Sequence, residues 1–313
     1  MKKIELPNLD DFLLNLQVNN LSRETVYNYE RDLEVFQNFL QEINIDFDNT
    51  DKKTILNYKA YLVSRDRKTP KKHLGDKKLN EYSINRMLSV LRSYLKYLVD
   101  MDYDSPISPE SVKLTKTTRK HPQVAELAEI VKLIESPSQI EKNRRVAVRN
   151  RAMLEVLFST GMRISELTGL KTTQIDKSGR IFILGKGKKE RFVYLTTRAQ
   201  EYLKQYSDIR GLSPTPFLFI PYCGKNVSKK DKKISTNYLQ EKIKKYRELL
   251  GINIPISAHS LRHGFATYLA EKGANPAAIQ ILLGHESLDT TTRYVHASDR
   301  YAERTHRQFH PLK

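Results

Sequence analysis

Apolar positions recur every three or four residues through much of the first hundred residues. In SRETVYNYERDLEVFQNFLQEI, which begins at Ser22, the apolar side chains follow one another in steps of 3, 4, 3, 4 and 3. That spacing predicts an amphipathic α-helix, and Ser22 is a suitable N-cap for it. A second pattern predicts a helix over 84–98 with Ser83 as its cap, and shorter patterns near 9–17 and 51–64 predict two more. Together they predict an all-α bundle of four helices.

A polar segment interrupts these patterns. Residues 104–123, DSPISPESVKLTKTTRKHPQ, contain three prolines, many serines and threonines, and few large apolar side chains. Such a composition is typical of a linker. The sequence therefore predicts a helical domain over 1–103, a basic linker over 104–123 and a second domain over 124–313.

The second domain mixes helical and strand patterns. A helix is predicted over 147–159, with Gly161 just past its end. RIFILGKGKKERFVYL, residues 180–195, predicts two strands around a tight turn. Later helical patterns cover 259–272, 276–283 and 288–297. This order predicts a mainly α domain with a small antiparallel β-sheet.

Composition narrows the class of protein. Hydrophobic residues make up 39% of the chain and charged residues 29%, which is typical of a soluble globular protein. No stretch approaches the roughly 18 apolar residues of a membrane span. The single cysteine, Cys223, excludes an internal disulfide and a cysteine metal cluster. We expect a cytoplasmic protein without a membrane partner.

The positive charge is unevenly distributed. The net charge is +18, yet residues 1–103 carry 17 basic and 16 acidic side chains, whereas residues 124–313 carry 33 and 18. A field concentrated in this way favours a polyanionic partner such as nucleic acid. The basic segment RDRKTPKKHLGDKK, residues 65–78, is either a solvated loop or a phosphate-contacting arm.

A phosphodiester substrate would require cationic donors, a nucleophile and an acid. Arg163 lies at the predicted opening of a helix, where an anion is favoured, and Glu166 is placed one turn later to orient it. An exposed surface ion pair is the alternative.

The string AHSLRHGFATYLAEKG supplies two further candidates. His259 and Arg262 lie three residues apart on one helix face, and we expect both to point away from the core. The spacing of His259 and His263 resembles a zinc pair, but Ser260 stands where a metalloprotease helix has glutamate. We therefore expect no metal.

Three more candidates lie on predicted turns or in the tail. His285 follows Gly284 at the end of a short helix, and Lys186 lies in the hairpin turn, where its ammonium could protonate a leaving hydroxyl. Tyr294 follows His285 by nine residues. Singly, these residues are equally consistent with a surface histidine, a turn lysine and a packing tyrosine.

Taken together, the strings TGMRISEL, GKGKKER, HSLRH and LGHESLDTTTRY closely resemble those of the tyrosine recombinase, or phage integrase-like, superfamily. The resemblance covers most of residues 150–297, and the compact two-domain length is most similar to the Xer branch. It implies that the N-terminal bundle is a core-binding, SAM-like domain and that the second domain is catalytic.

The resemblance assigns three residues to the scissile phosphate. Arg163 and Arg262 match the arginines that clamp it, and His285 matches a histidine that hydrogen-bonds it.

Three others carry the chemistry that the resemblance implies. Tyr294 matches the nucleophile that forms a 3′-phosphotyrosyl link, His259 matches the residue that assists proton transfer at the tyrosine, and Lys186 matches the general acid for the leaving 5′ oxygen. The link retains the energy of the phosphodiester, so the resemblance implies no cofactor, metal or ATP.

The implied partners are a double-stranded DNA recombination site and a tetramer, built from this chain alone or from paired recombinases, that passes through a Holliday junction. Residues 298–313 are placed to exchange between neighbours, and a DNA translocase or other accessory activator is a further candidate partner. Resolution of chromosome or plasmid dimers and integration or transposition of a mobile element use the same residues. A type IB topoisomerase, a non-catalytic DNA-binding regulator and a metal-dependent nuclease are less favoured alternatives.

Overall fold

The computed structural model describes residues 4–64, 79–116, 125–185, 190–224 and 227–284. The chain divides into two compact units, Met1–Lys120 and His121–Lys313. The described ranges contain twelve α-helices and one two-stranded sheet. Among the helices that the structure describes, none is long and apolar enough to cross a membrane.

The first unit contains the four predicted helices. They are α1 Leu9–Val18, α2 Arg23–Ile43, α3 Lys52–Val63 and α4 Glu81–Asp100. The apolar positions of α2 are buried at the predicted spacing, as at Leu33, Phe36 and Leu40, and the long helix α4 packs against them through residues such as Leu88 and Leu91. The prediction of an N-terminal helical bundle is confirmed.

The predicted N-cap is confirmed for one of the two long helices and is wrong for the other. The Ser22 hydroxyl accepts the Thr25 N–H at 3.1 Å, as predicted. The prediction that Ser83 caps α4 is wrong, because the Asn80 side-chain oxygen accepts the Ser83 N–H at 2.8 Å. The helix therefore begins at Glu81.

Part of the segment predicted as a linker packs onto the first unit. Val112 is fully buried in the core of this unit, and the Arg92 guanidinium donates to its carbonyl oxygen. The Thr115 N–H donates to the Asn85 side-chain oxygen at 2.8 Å. These contacts attach the chain to α4 as far as Thr115. The extent of the linker beyond them stays a prediction.

The second unit is mainly helical. Its helices are α5 Leu127–Glu135, α6 Pro137–Ile140, α7 Arg144–Thr160, α8 Ile164–Gly169, α9 Thr197–Arg210, α10 Thr236–Leu249, α11 Ala258–Glu271 and α12 Pro276–Leu283. Strand β1, Arg180–Leu184, pairs antiparallel with β2, Glu190–Tyr194, so that Phe182 lies opposite Phe192. The predicted mainly α domain with a small antiparallel sheet is confirmed. The predicted helix over 288–297, the predicted basic loop over 65–78 and residues 186–188 of the predicted GKGK turn lie outside the described residues.

Helix α7 is the centre of the second unit. It begins three residues earlier than predicted, because the Asn143 side chain caps it. It is buried on most sides, and α6, α9 and α11 pack against it. The chain then turns at Gly161, whose φ is 61° and whose added Cβ would lie 2.4 Å from the Phe265 ring. This turn brings the chain into α8.

The first half of α11 and the end of α12 lie close to the same turn. Asn275 caps α12 through the Ala277 N–H at 2.8 Å, and Gly284 ends the helix with a φ of 64°. Both ends agree with the sequence prediction. The end of α7, the start of α8 and the end of α12 thus come together.

Candidate active site

Three of the six predicted site residues lie in described parts of the chain. Arg163 and Arg262 come together at the end of α12, and His259 lies on the first turn of α11. Lys186, His285 and Tyr294 lie outside the described residues.

Arg163 is held at the opening of α8. Its N–H donates to Glu166 Oε2 at 2.7 Å and its Nη1 to Glu166 Oε1 at 3.2 Å, so Glu166 fixes both ends of the residue. Its Nη2 donates to the Gly284 carbonyl oxygen at 3.3 Å. The side chain remains 37% exposed, which leaves part of the guanidinium open to an anion.

Arg262 is buried, with 4% of the residue exposed. Its Nη1 donates to the Gly161 carbonyl oxygen at 2.8 Å and its Nη2 to that of Leu283 at 2.6 Å. The prediction that Arg262 points away from the core is therefore wrong. The carbonyl groups at a helix end have no partner within the helix, and here the guanidinium supplies one to α7 and one to α12.

His259 is exposed, as predicted. One turn later, burial and the neighbouring His259 charge lower the pKa of His263. Within the described parts of the chain, no three His, Cys, Asp or Glu side chains are arranged to hold a metal ion.

A third arginine, Arg191, lies in the same cluster as Arg163 and Arg262. Arg191 on β2 forms a two-pronged ion pair with Glu166, with Nη1–Oε1 at 3.0 Å and Nη2–Oε2 at 2.7 Å. Its Nε donates to the Leu282 carbonyl oxygen at 3.0 Å.

The last turn of α12 therefore accepts from three arginines on three successive carbonyl oxygens. Leu282 accepts from Arg191, Leu283 from Arg262 and Gly284 from Arg163. The C-terminal end of a helix carries partial negative charge, which favours cations there. One carboxylate, Glu166, faces two of these three guanidinium groups, so the cluster keeps an excess of positive charge beside the partly exposed Arg163. Such an arrangement is suited to a phosphate group.

Comparisons with known proteins identify the family. Residues 9–101 match the description "Phage integrase, N-terminal SAM-like domain", and residues 123–300 match "Phage integrase family".

The chain belongs to the phage integrase family. It is 31% identical over 315 residues to the Tyrosine recombinase XerD of Staphylococcus aureus (strain Mu50), which covers 97% of this chain and 98% of that protein. This integrase-family chain is accordingly an enzyme of the Xer-like tyrosine recombinase type, which cuts and rejoins DNA strands. The sequence prediction of its class is confirmed.

Solved structures of other members share the fold of this integrase-family enzyme. The XerH site-specific recombinase bound to difH substrate, a pre-cleavage complex, matches with a TM-score of 0.69 and 23% identity over 97% of this chain and 89% of that one. A lambda integrase dimer bound to a COC′ core site matches with a TM-score of 0.69 and 16% identity over 93% and 76%. At these identities the likeness is one of fold.

The electrostatics of the integrase-family site centre on Glu166. Burial would raise the pKa of its carboxyl group, but the hydrogen bonds from Arg191 and from the Arg163 N–H, with the charges of both guanidinium groups, hold that pKa below its ordinary value. Glu166 therefore stays ionised and keeps its hold on both arginines in neutral solution.

Arg191 is the site residue that sequence reasoning missed in this enzyme. In the string GKGKKER it is one of several charged residues near the predicted hairpin turn. Alternation along β2 was the available signal, since Arg191 shares the strand face of the fully buried Val193. A charged side chain at an inward position indicates a buried partner.

Proposed function

We propose that this enzyme cleaves and rejoins DNA through Tyr294, with the phosphate held between Arg163 and Arg262. The convergence of these two arginines on the last turn of α12, one residue before His285 in the sequence, is the observation that supports this assignment most directly. His285 adds a hydrogen bond to the same phosphate.

The reaction exchanges one phosphoester for another. The Tyr294 oxygen attacks phosphorus while its proton passes to His259, and the bond from phosphorus to the 5′ oxygen breaks as that oxygen takes a proton from Lys186. A free tyrosine has a pKa near 10, so it is a poor nucleophile at neutral pH without a base and nearby cations. The two arginines stabilise the charge that develops on the non-bridging oxygens.

A second 5′ hydroxyl reverses these steps. It attacks the 3′-phosphotyrosyl link, releases Tyr294 and joins the strand to a new partner. Because the number of phosphoester bonds is conserved, the exchange requires no external energy source. Exchange of one strand pair gives a Holliday junction, and exchange of the second pair resolves it.

The experiment is cleavage of a nicked suicide substrate carrying a candidate site from the source genome. The wild-type chain should form a covalent protein–DNA adduct, and Tyr294→Phe should form none while keeping its affinity for DNA. Tyr194→Phe is a matched control, because Tyr194 is an exposed tyrosine of the same unit. Adduct formation by Tyr294→Phe, or its loss in Tyr194→Phe, would contradict the assignment.

The proposed substrate is a double-stranded recombination site bound by four protomers. Structures of relatives with DNA, one of them a dimer on a core site, support this partner. Residues 298–313 are proposed to pass between neighbouring protomers. Deletion of residues 301–313 should then lower synaptic assembly in gel-filtration or native-gel experiments and leave binding to a single half-site unchanged. Undiminished assembly would contradict the exchange.

The proposed biological role is the resolution of chromosome or plasmid dimers. The near-full-length match to a XerD protein favours it, whereas the likeness to lambda integrase is compatible with integration of a mobile element. Recombination between two plasmid copies of the candidate site separates the roles. Resolution of directly repeated chromosomal sites supports the first, and exchange restricted to the ends of a mobile element supports the second.

A further inference from the structure

Arg191 occupies a position where the strand pattern calls for an apolar residue. It lies on the inward face of β2, and only 5% of its side chain is exposed. A buried charge is costly unless it is paired and hydrogen-bonded. The partners of Arg191 therefore account for its presence.

Those partners are Glu166, which also binds Arg163, and the Leu282 carbonyl group at the end of α12. Two nitrogens of Arg191 bind the two oxygens of Glu166, and the same carboxylate binds the N–H and the Nη1 of Arg163. The third nitrogen, Nε, binds the Leu282 carbonyl oxygen. One side chain thus joins β2, α8 and α12.

This arrangement controls how Arg163 presents its guanidinium. While Arg191 holds both carboxylate oxygens, Glu166 contacts only one terminal nitrogen of Arg163, through Oε1. Without Arg191, Oε2 still accepts the Arg163 N–H, but each carboxylate oxygen regains a lone pair with which Glu166 can bind the Arg163 guanidinium in the two-pronged geometry that arginine and carboxylate favour. That contact would withdraw the guanidinium from an incoming phosphate.

Arg191 also packs against the residue that precedes His285. An added Cβ on Gly284 would lie 3.0 Å from Arg191 Cδ, so the two residues are in close contact. In the other direction, Lys186 precedes Arg191 by five residues in the hairpin. Arg191 therefore contacts Gly284, which precedes His285 in the chain, and follows Lys186 by five residues in the sequence.

We propose that Arg191 is a positioning residue for DNA cleavage, which keeps Arg163 available to the phosphate by engaging Glu166 and fixes the end of α12. This assignment rests on the proposed function. Arg191 does not touch the reacting atoms and acts through Glu166 and the backbone. Lysine cannot replace it fully, because an ammonium group cannot bind both oxygens and the Leu282 carbonyl in a planar fork.

The first experiment compares binding with cleavage in the full chain. Arg191→Lys and Arg191→Gln should keep their affinity for DNA within about threefold, while the rate of adduct formation on a suicide substrate falls on the order of 100-fold, the cost of a small misplacement of a catalytic group. Arg180→Gln is the matched control, because Arg180 lies on the same hairpin and pairs with Asp176 but is half exposed and on the other strand face. It should cleave like the wild type.

A double-mutant cycle separates positioning from general structural support. If Arg191 acts through Arg163, Arg191→Gln should slow cleavage at least about tenfold less in an Arg163→Lys background than in the wild type, because coupled residues are not additive. Independent, additive effects would overturn the proposal. So would wild-type cleavage by Arg191→Gln, or loss of folding in both Arg191 variants.

These outcomes are distinguishable from failure of the proposed function. If the wild-type chain forms no adduct through Tyr294, the proposed function fails and the role of Arg191 fails with it. If the wild type forms the adduct and the cycle is additive, only the role of Arg191 is overturned.

Discussion

The Arg262 guanidinium donates to the Leu283 carbonyl oxygen across 2.6 Å and is enclosed by protein, whereas Arg163 reaches the Gly284 carbonyl oxygen at 3.3 Å and keeps more than a third of its side chain exposed. Two arginines proposed to hold the same phosphate are thus built into the fold to different degrees. Arg262 connects the ends of α7 and α12 through hydrogen bonds, whereas the Arg163 side chain is partly exposed to solvent.

Because of this difference, we expect substitutions of the two arginines to have similar effects on cleavage and different effects on stability. Arg163→Gln and Arg262→Gln should each slow cleavage by on the order of 100-fold or more, as loss of a transition-state donor does. Only Arg262→Gln should lower the free energy of unfolding of the second unit, by about 2 kcal/mol or more, because two buried carbonyl groups lose their donor. Hydrogen exchange of α7 and α12 peptides and adduct rates test this. Equal destabilisation by the two variants would contradict it.

The close contact at the Gly161 turn should make a substitution there destabilise the second unit. Gly161→Ala places a Cβ 2.4 Å from Phe265 and should destabilise the second unit by more than the roughly 1–2 kcal/mol that a left-handed residue costs. Gly251→Ala is the control, since Gly251 has a φ of 65° and open space around the added atom. The stabilities come from urea denaturation of both variants. If the two alanines cost the same, the contact with Phe265 has no role in stability.

The buried carboxyl group of Asp32 should make the stability of the first unit depend on pH. Asp32 is buried on α2 and paired with Arg86 at 2.8 Å. Burial raises its pKa to about 6 from an ordinary value of 3.8, and the charge of Arg86 offsets only part of this. The folded state therefore binds the proton more tightly than the unfolded chain does. The resulting stabilisation is complete below about pH 4 and disappears as the pH rises through 6.

Asp32→Asn should remove that pH dependence. Between pH 4 and pH 6.5, the wild-type first unit should lose about 1–3 kcal/mol of stability that the variant keeps. Hydrogen exchange of α2 and α4 peptides, corrected for the intrinsic exchange rate at each pH, reports it. Asp51→Asn is a useful contrast, because hydrogen bonds to Thr54 lower the pKa of the exposed Asp51 carboxyl and its effect has the opposite sign. Parallel profiles for wild type and Asp32→Asn would exclude the effect.

The concentrated charge of the second unit predicts steep salt dependence. If six or more of its 33 lysines and arginines contact phosphates, affinity should fall by on the order of 1,000-fold between 50 and 200 mM salt. The Tyr294→Phe variant is the proper probe, since covalent adducts would distort the equilibrium. A nearly flat plot of log affinity against log salt would show that few phosphates are contacted.

The features that the sequence predicted correctly are local ones. The spacing of apolar residues in α2, the cap at Ser22 and the glycines after α7 and α12 each depend on neighbours within about one helical turn. Where two neighbouring residues can both cap a helix, the sequence alone does not show which of them does so. Asn80 and Ser83 are both good cap formers three residues apart, and the structure uses the earlier one.

The long-range parts of the site were less accessible. The helical spacing placed Arg262 on a polar face but could not show that this face meets the carbonyl ends of α7 and α12. Arg191 lies 25 residues from Glu166 and 91 from Leu282 along the chain, so no local pattern connects them. The resemblance to recombinases named the residues proposed to contact DNA and did not include Arg191, which we propose holds one of them in place.

The last turn of α12 offers its partners only backbone oxygens. Every residue type supplies the same carbonyl group, so substitutions at Leu282 or Leu283 leave all three acceptors in place as long as the helix forms. A one-residue insertion in α12 is different, because it rotates every later carbonyl by about 100° around the helix axis. The site should thus tolerate apolar substitutions at Leu282 and at the buried Leu283, and be intolerant of any change in the number of residues in the helix.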